Sequence, residues 1–384
     1  MKSTFDITIV GGGIAGLTLA ALLATGRQAG RLNVTVIDAA KRPVFLSGSE
    51  VALRVSAIAN GSAELFSSIG AWDAVAAARI SPYEHMRVWD ESDVPDSTSA
   101  LTFDAADYAV PQLGFIVENV LLQNALLDRL ESTDATLEFE SRLDGLPTTD
   151  LLVGADGARS FVREQAGIKT HRWPYEQTAV VTHLRTEKPH GSTARQRFLR
   201  SGPLGMLPLA DGRISVVWST TPEVAKQALA ATDKELGRML TTASDHVLGE
   251  LQVAGPKGAF PLSAQHAEDY VRPGLALIGD AAHAIHPLAG QGANLGLRDA
   301  AELASVIETA LDDGLHPGDR PVLRRFERAR KGDNLTMLHF MTGLNRLFTT
   351  DSTLVRELRT AGMRMFNRSG PIKERAVKVA LGVS

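Results

Sequence analysis

An α/β fold is predicted: a domain with a parallel sheet, interleaved with a mostly antiparallel β domain and followed by a helical C-terminal region. Three features of the sequence predict it. A strand–helix–strand pattern fills the first 40 residues, the hydrophobic period switches to alternation between Thr178 and Ser219, and the buried-strand style returns at Leu275 with a long helix behind it. Alternation of this kind between element types points to layered α/β architecture.

Taken in order, Phe5–Val10 is a short apolar run of β-formers and reads as a buried strand. Ile14–Ala24 is an Ala/Leu-rich helix, and Leu32–Asp38 is a second buried strand. Together they form a βαβ unit, which implies parallel pairing with a right-handed crossover. The uncharged run Ile7–Gly26 is long enough to span a bilayer, but Asp6 precedes it and glycines at 11, 12, 13 and 16 divide it into strand, turn and helix. Helical patterns follow at Ser56–Ile69 and Glu118–Ser132, and Leu151–Ala155 is another buried strand. The runs AVVTHLRT, RQRFLR and RISVVWS, separated by Gly/Pro turns, read as antiparallel strands. Leu275–Gly279 is again a buried strand, Gln291–Leu311 a long helix, and the chain is helical from Arg320. The expected division is a discontinuous first domain (1–80, 110–170, 270–320), a β-rich domain (81–109, 171–269) and a helical basic region (321–384).

Composition narrows the function. The 384 residues are 44% apolar and 22% charged, so the chain is globular, with two domains or one large domain carrying an insertion. A net charge of −4 argues against a nucleic-acid partner. There is no cysteine, which excludes disulfides, thiolate metal sites and cysteine nucleophiles. Redox chemistry would therefore need a bound organic cofactor. The absence of cysteine also fits a reducing cytoplasm. Charge is uneven: residues 320–384 hold 14 Lys/Arg against 5 Asp/Glu, a net of +9.

The strongest motif is Gly11-x-Gly13-x-x-Gly16, which follows a strand and opens a helix beginning Ile14-Ala15. Gly11 permits the tight turn, Gly13 removes a Cβ that would strike a pyrophosphate, and Gly16 lets the helix approach the strand. Asp38, at the end of the second strand, can accept hydrogen bonds from a ribose. A second constellation, Gly279-Asp280 through Pro287 to Gly290-Gln291-Gly292-Ala293-Asn294, places a carboxylate at the end of a buried strand and a glycine turn at a helix N-terminus. Such a terminus stabilises negative charge, and Pro287 can form a rigid wall. Asp280, His283 and His286 also spell DxxHxxH, but they lie on a loop with no helical register to converge them, so no metal is expected.

The run Leu152–Ser160 (LVGADGARS) resembles the Asp-Gly motif of the flavoprotein aromatic hydroxylases, and Leu277–Asn294 resembles their second FAD motif. Leu53-Arg54-Val55-Ser56-Ala57, Gln196-Arg197-Phe198, Leu207-Pro208-Leu209 and Asn294-Leu295-Gly296-Leu297-Arg298-Asp299 make the chain look most like the ubiquinone-biosynthesis hydroxylases within that group. The resemblance implies a Rossmann-like FAD-binding domain, with Asp156 and Gly279 added to the cofactor residues and Arg54 near the flavin. Arg54 and Pro287 stand as catalytic candidates with His286, which is expected to face the active site without an assigned acid–base role. An external reductant, NAD(P)H or an electron-transfer protein, is implied by the single dinucleotide fingerprint. The implied reaction is transfer of one oxygen of O₂, through a flavin C4a-hydroperoxide, to a polyprenylated phenol. A lipid substrate and basic C-terminal helices imply peripheral contact with the inner face of the cytoplasmic membrane, and the resemblance also brings in a ubiquinone-biosynthesis assembly as a partner. Alternatives are a hydroxylase of a soluble aromatic substrate and a non-catalytic lipid-binding subunit. One departure is expected: the segment between Asn119 and Leu151 is too short for the family's three-stranded meander.

Overall fold

The computed structural model describes residues 4–286, 291–350, 353–367, 369–370, 373–375 and 377. Its first sheet has six strands in the order Val271–Arg272, Leu275–Leu277, Leu151–Gly154, Phe5–Val10, Leu32–Ile37, Thr136–Glu138. All neighbours are parallel except the first pair. Val10 lies opposite both Ile37 and Gly154, and Leu277 lies opposite Gly154, so four strands end at one level. In parallel sheets that carboxyl edge is where ligands bind. Helix Ile14–Thr25 packs against helices Asn119–Glu131 and Gln291–Asp312. Ile7, Ile9, Leu17, Leu19 and Val153 beneath it are fully buried. The uncharged run Ile7–Gly26 is thus strand, turn and a 12-residue helix, and no helix among the described residues is long and apolar enough to cross a membrane.

The second sheet has nine strands and is antiparallel except where His85–Asp90 runs parallel to Thr193–Leu199. Gly258–Ala267 and the 17-residue strand Thr170–Thr186 form its long central pair. At its edge His283–Ala284 pairs with Gln265 and His266. The turn Gly279–Ala281 therefore leaves the first sheet at Leu277 and enters the second at His283, so one short segment belongs to both.

Two expectations need correction. Ser56–Ile69 is not one helix: Val55–Ala59 is a strand paired antiparallel with Gly114–Glu118, and the helix is Asn60–Ile69. Tertiary pairing overrides the helical period here because Val55 and Ile58 are β-branched and a partner strand is present. The C-terminal helices, Arg320–Thr349 and Thr353–Asn367, do not present all their cations outward. Arg359 and Asp90 form a buried ion pair at 2.6 Å, and the guanidinium stacks over Phe348 at 4.9 Å. Its Nη1 also donates to the carbonyls of Leu347 and Phe348, at the C-terminal end of the preceding helix, where a cation is favoured. Lys373 sits over the Phe103 ring at 5.2 Å. Arg368 and Lys378 of this basic region lie outside the described residues. The expected shortening is seen directly, since residues 139–150 form no strand.

Candidate flavin and substrate site

A cavity of about 2230 Å³ opens along the carboxyl edge of the first sheet and continues beneath the second. Single small-molecule sites run to about 300–1,000 Å³, so this volume suits two ligands side by side. Its near end is lined by Gly11, Gly13, Ile14, Ala15 and Asp38, its middle by Arg54, Asp156, Gly279 and Asp280, and its far end by apolar side chains of the second sheet and the C-terminal helices.

The glycines of the first motif separate into two kinds. Gly11 has φ +117°, and a Cβ there would lie 2.3 Å from the Ala155 carbonyl oxygen; a Cβ on Gly16 would lie 2.0 Å from the Gly11 carbonyl oxygen. The fold itself demands both. Gly13 is different: a Cβ would meet no protein atom within 4 Å, and φ is an ordinary −73°. The protein does not need this glycine, whereas a phosphate resting on the helix N-terminus does. Gly292, at the start of helix Gln291–Asp312, is equally open. Asp38 is held at the strand end by accepting the Gly12 N–H at 2.5 Å and the Ala40 N–H at 2.7 Å. Each carboxylate oxygen keeps a free lone pair for ribose hydroxyls. These residues fit a dinucleotide.

The turn carrying Asp280 is gripped from both sides. Gly279, at φ +56°, donates its N–H to Asp299 Oδ2 at 3.0 Å, and the Ala281 carbonyl accepts from Arg163 Nη1 at 2.7 Å. Asp299 is fully buried and also takes His283 Nε2 at 2.5 Å, Arg330 Nε at 2.9 Å and Asn334 Nδ2 at 3.0 Å. Burial works against its charge, but His283, Arg330 and Asn334 outweigh that and hold its pKa below the usual carboxylate value. Asp280 itself is open to the cavity while protein encloses it, and loss of bulk water raises its pKa, with His283 and Arg54 opposing. Arg54 reaches the cavity with no hydrogen bond or ion pair of its own side chain to a described residue. Its backbone is fixed by Asn119 N–H at 3.0 Å, and the neighbouring Ala52 carbonyl by His183 Nε2 at 3.1 Å.

The remaining sequence candidates fall out as follows. Asp156 lines the cavity but also takes Ser160 Oγ at 2.5 Å and the Val162 N–H at 3.1 Å, which starts helix Phe161–Gln165. Asn294 spends its amide on Ala57, Ala59 and Ser62, clamping the long helix to strand Val55–Ala59, and lines the cavity beside Ala293. His286 is buried and donates from Nε2 to Gln177 Oε1 at 3.0 Å. Burial pulls its pKa down to about 4, so the ring is neutral near neutral pH. His283 and His286 turn to separate partners, and among the described residues no cluster of metal-ligating side chains forms. Pro287 and Gly290 lie outside the described residues. Sequence reasoning missed Asp299 and Arg163 as positioning residues. Asp299 closes the Asn294–Asp299 run singled out in the sequence, but nothing local separates it from the charged Arg298, Glu302 and Glu308 of the same helix.

Gly13→Val is expected to cost the apoprotein no more than about 1 kcal/mol, through a poorer N-cap, while abolishing flavin absorbance in the purified protein; an apoprotein destabilised well beyond that, or retained flavin, would contradict the geometry. Asp299 supplies a pH test. Because its folded pKa is depressed, its stabilisation is complete above the unfolded value of about 3.9 and is lost as pH falls through the folded value. The difference in unfolding free energy between wild type and Asp299→Asn, from urea titrations, should be flat at neutral pH and shrink below about pH 4. A difference that does not shrink in acid would count against the assignment.

Comparison with known proteins agrees with this geometry. Residues 4–317 match the family described as FAD binding domain, and residues 257–384 match squalene epoxidase. The chain is 37% identical to 3-demethoxyubiquinol 3-hydroxylase of Escherichia coli, over 98% of both chains. It is 38% identical to ubiquinone hydroxylase UbiL of Rhodospirillum rubrum, over 98% of this chain and 89% of that one. It is 32% identical to the human ubiquinone biosynthesis monooxygenase COQ6, over 98% and 92% respectively. Among solved structures, PqsL of Pseudomonas aeruginosa superposes with a TM-score of 0.74 at 22% identity, over 94% of this chain and 99% of that one. The p-nitrophenol 4-monooxygenase PnpA of Pseudomonas putida gives 0.76 at 18%, over 99% and 97%. At that identity the two structures speak for the fold alone. An FAD site on this fold and relatives matched end to end lead to one placement: the chain belongs to the FAD-dependent monooxygenases of the ubiquinone-biosynthesis hydroxylase family.

Proposed function

We propose that the protein hydroxylates the aromatic ring of a polyprenylated phenol, using O₂ and an external reductant, NAD(P)H or an electron-transfer protein. The observation that carries this reading is one continuous cavity of about 2230 Å³, which passes from the glycine turns, Asp38, Asp156 and Asp280 to a region rich in Val, Leu, Met and Phe side chains. FAD, once bound, supplies two-electron reduction and the activation of O₂. The chain's own residues do the rest. Gly13 and the N-terminus of helix Ile14–Thr25 receive the pyrophosphate, Asp38 the ribose and Asp280 the ribityl hydroxyls. The N-terminus of the 22-residue helix Gln291–Asp312, at Gly292 and Ala293, offers backbone N–H groups and a positive dipole end to the flavin ring. Arg54 adds a full positive charge in the same space, which favours negative oxygen-bearing species.

Beyond the flavin, Phe198 and Phe348 stack at 3.8 Å, and Met341, Met363 and Phe366 complete a dry wall. With FAD bound, this wall would keep bulk water away from the reacting ring. His286, neutral and buried, adds a polar edge without introducing charge. Phe260, Phe340 and Leu347 line the cavity while remaining exposed on the surface, at 44%, 57% and 38%. Exposed apolar residues around a cavity mouth favour a lipid interface. Peripheral attachment at the inner face of the cytoplasmic membrane, with Arg364 and Met365 of the outer helix toward the headgroups, is the location this reading implies.

The test is single-turnover hydroxylation. FAD-loaded protein, reduced and mixed with heavy-isotope O₂ and a short-chain prenylated phenol, should return product carrying one heavy oxygen on the ring. Recovery of unchanged prenylphenol, alongside oxygenation of a soluble aromatic acid, would overturn the reading.

A further inference from the structure

We propose that the side-chain amide of Gln196 is the specificity-determining group that reads an oxygen substituent on the substrate's aromatic ring. The inference rests on the prenylated-phenol reading above and deepens it. Gln196 lies in strand Thr193–Leu199, where side chains alternate between the two faces of the sheet. Phe198, two residues on, stacks against Phe348 in the cavity wall. Arg197 points the other way and donates to the carbonyls of Ala243 and Glu91, each at 3.1 Å. Gln196 therefore shares the cavity face with Phe198, and it lines the cavity directly.

The residue is only 7% exposed, yet its amide has no hydrogen-bond partner among the described residues. It is not sealed, either. Ser215 Oγ on the same face is sealed from solvent, whereas the Gln196 amide opens onto the cavity. Its cross-strand neighbours are Val88 on one side and Gly205 on the other. A Cβ built on Gly205 would meet only the Val217 carbonyl oxygen, at 3.7 Å, so the space above that glycine is free for a flat ring. Val88 flanks the amide on the neighbouring strand and Phe198 follows it on the same face, so its closest cross-strand and in-strand company is apolar. In so apolar a setting an unmade hydrogen bond is costly, and a group able to make it is selected. An amide carries two donors and one acceptor oxygen, so it satisfies both a phenol hydroxyl and an ether oxygen. Sites built around such a group reject analogues lacking the oxygen.

The experiment titrates FAD-loaded protein with three short-chain probes, read by perturbation of the flavin absorbance: a prenylated phenol, its methyl ether and the corresponding prenylbenzene. Wild type should bind the phenol and the ether about tenfold more tightly than the prenylbenzene. Gln196→Leu should bring all three to within about twofold of one another. Gln196→Glu, titrated at a pH high enough to ionise a carboxyl whose pKa its apolar surroundings raise, keeps size but only accepts, and should retain the preference for the phenol and lose it for the ether. A Gln196→Leu protein that keeps the full wild-type ratios, or a Gln196→Glu protein that still favours the ether, overturns the inference alone. Binding of none of the three by wild type overturns the prenylated-phenol reading, and this inference with it.

Discussion

The carboxylate of Asp299 is the point on which the rest of the site depends. It is fully buried, and a lone charge in that position would cost several kcal/mol. Four donors offset the cost: the Gly279 N–H, His283, Arg330 and Asn334. Between them they serve three tasks. Gly279 carries Asp280 into the cavity, and His283 begins the edge strand of the second sheet. Arg330 and Asn334 stand on helix Arg320–Thr349, whose later turns place Met341 and Phe348 in the apolar wall. A single anion thus sets the cofactor turn, the junction of the two sheets and the helix that shapes the substrate space.

Much of this was legible in the residues. The βαβ unit, its glycines and Asp38 could be read because each position has one steric reason, and the structure separates those reasons cleanly: Gly11 and Gly16 serve the fold, while Gly13 leaves room for a ligand. The antiparallel strands were legible from their alternation and turns. What the sequence hid is what depends on distant partners. Val55–Ala59 follows a helical period but is captured as a strand by Gly114–Glu118. Arg359 belongs to a basic, amphipathic run, and only folding reveals that Asp90 and the ring of Phe348 take it inside. Asn294 sits in a cofactor motif, yet its amide is spent joining helix to strand.

The division of labour follows from chemistry. Flavin carries the difficult redox step, so the protein needs no nucleophile and no carboxylate pair. It needs a cradle for phosphates, a cation and a helix dipole near the ring, and a dry chamber. Between helix Asn119–Glu131 and strand Leu151–Gly154 the chain forms only the three-residue strand Thr136–Glu138, in place of the longer meander expected there. Helix packing on the second sheet, anchored by the Phe198–Phe348 stack, then provides a wall apolar enough for a lipid.

The most direct test of the Asp299 account is the FAD dissociation constant of Asp299→Asn at neutral pH, measured by equilibrium dialysis. Asn cannot supply the charge that Arg330 and His283 face, and the turn bearing Asp280 loses its fixed anchor. FAD affinity should fall at least about tenfold, equivalent to about 1.4 kcal/mol, in a variant that still folds. A folded variant with wild-type affinity would contradict the claim that this buried carboxylate sets the cofactor turn.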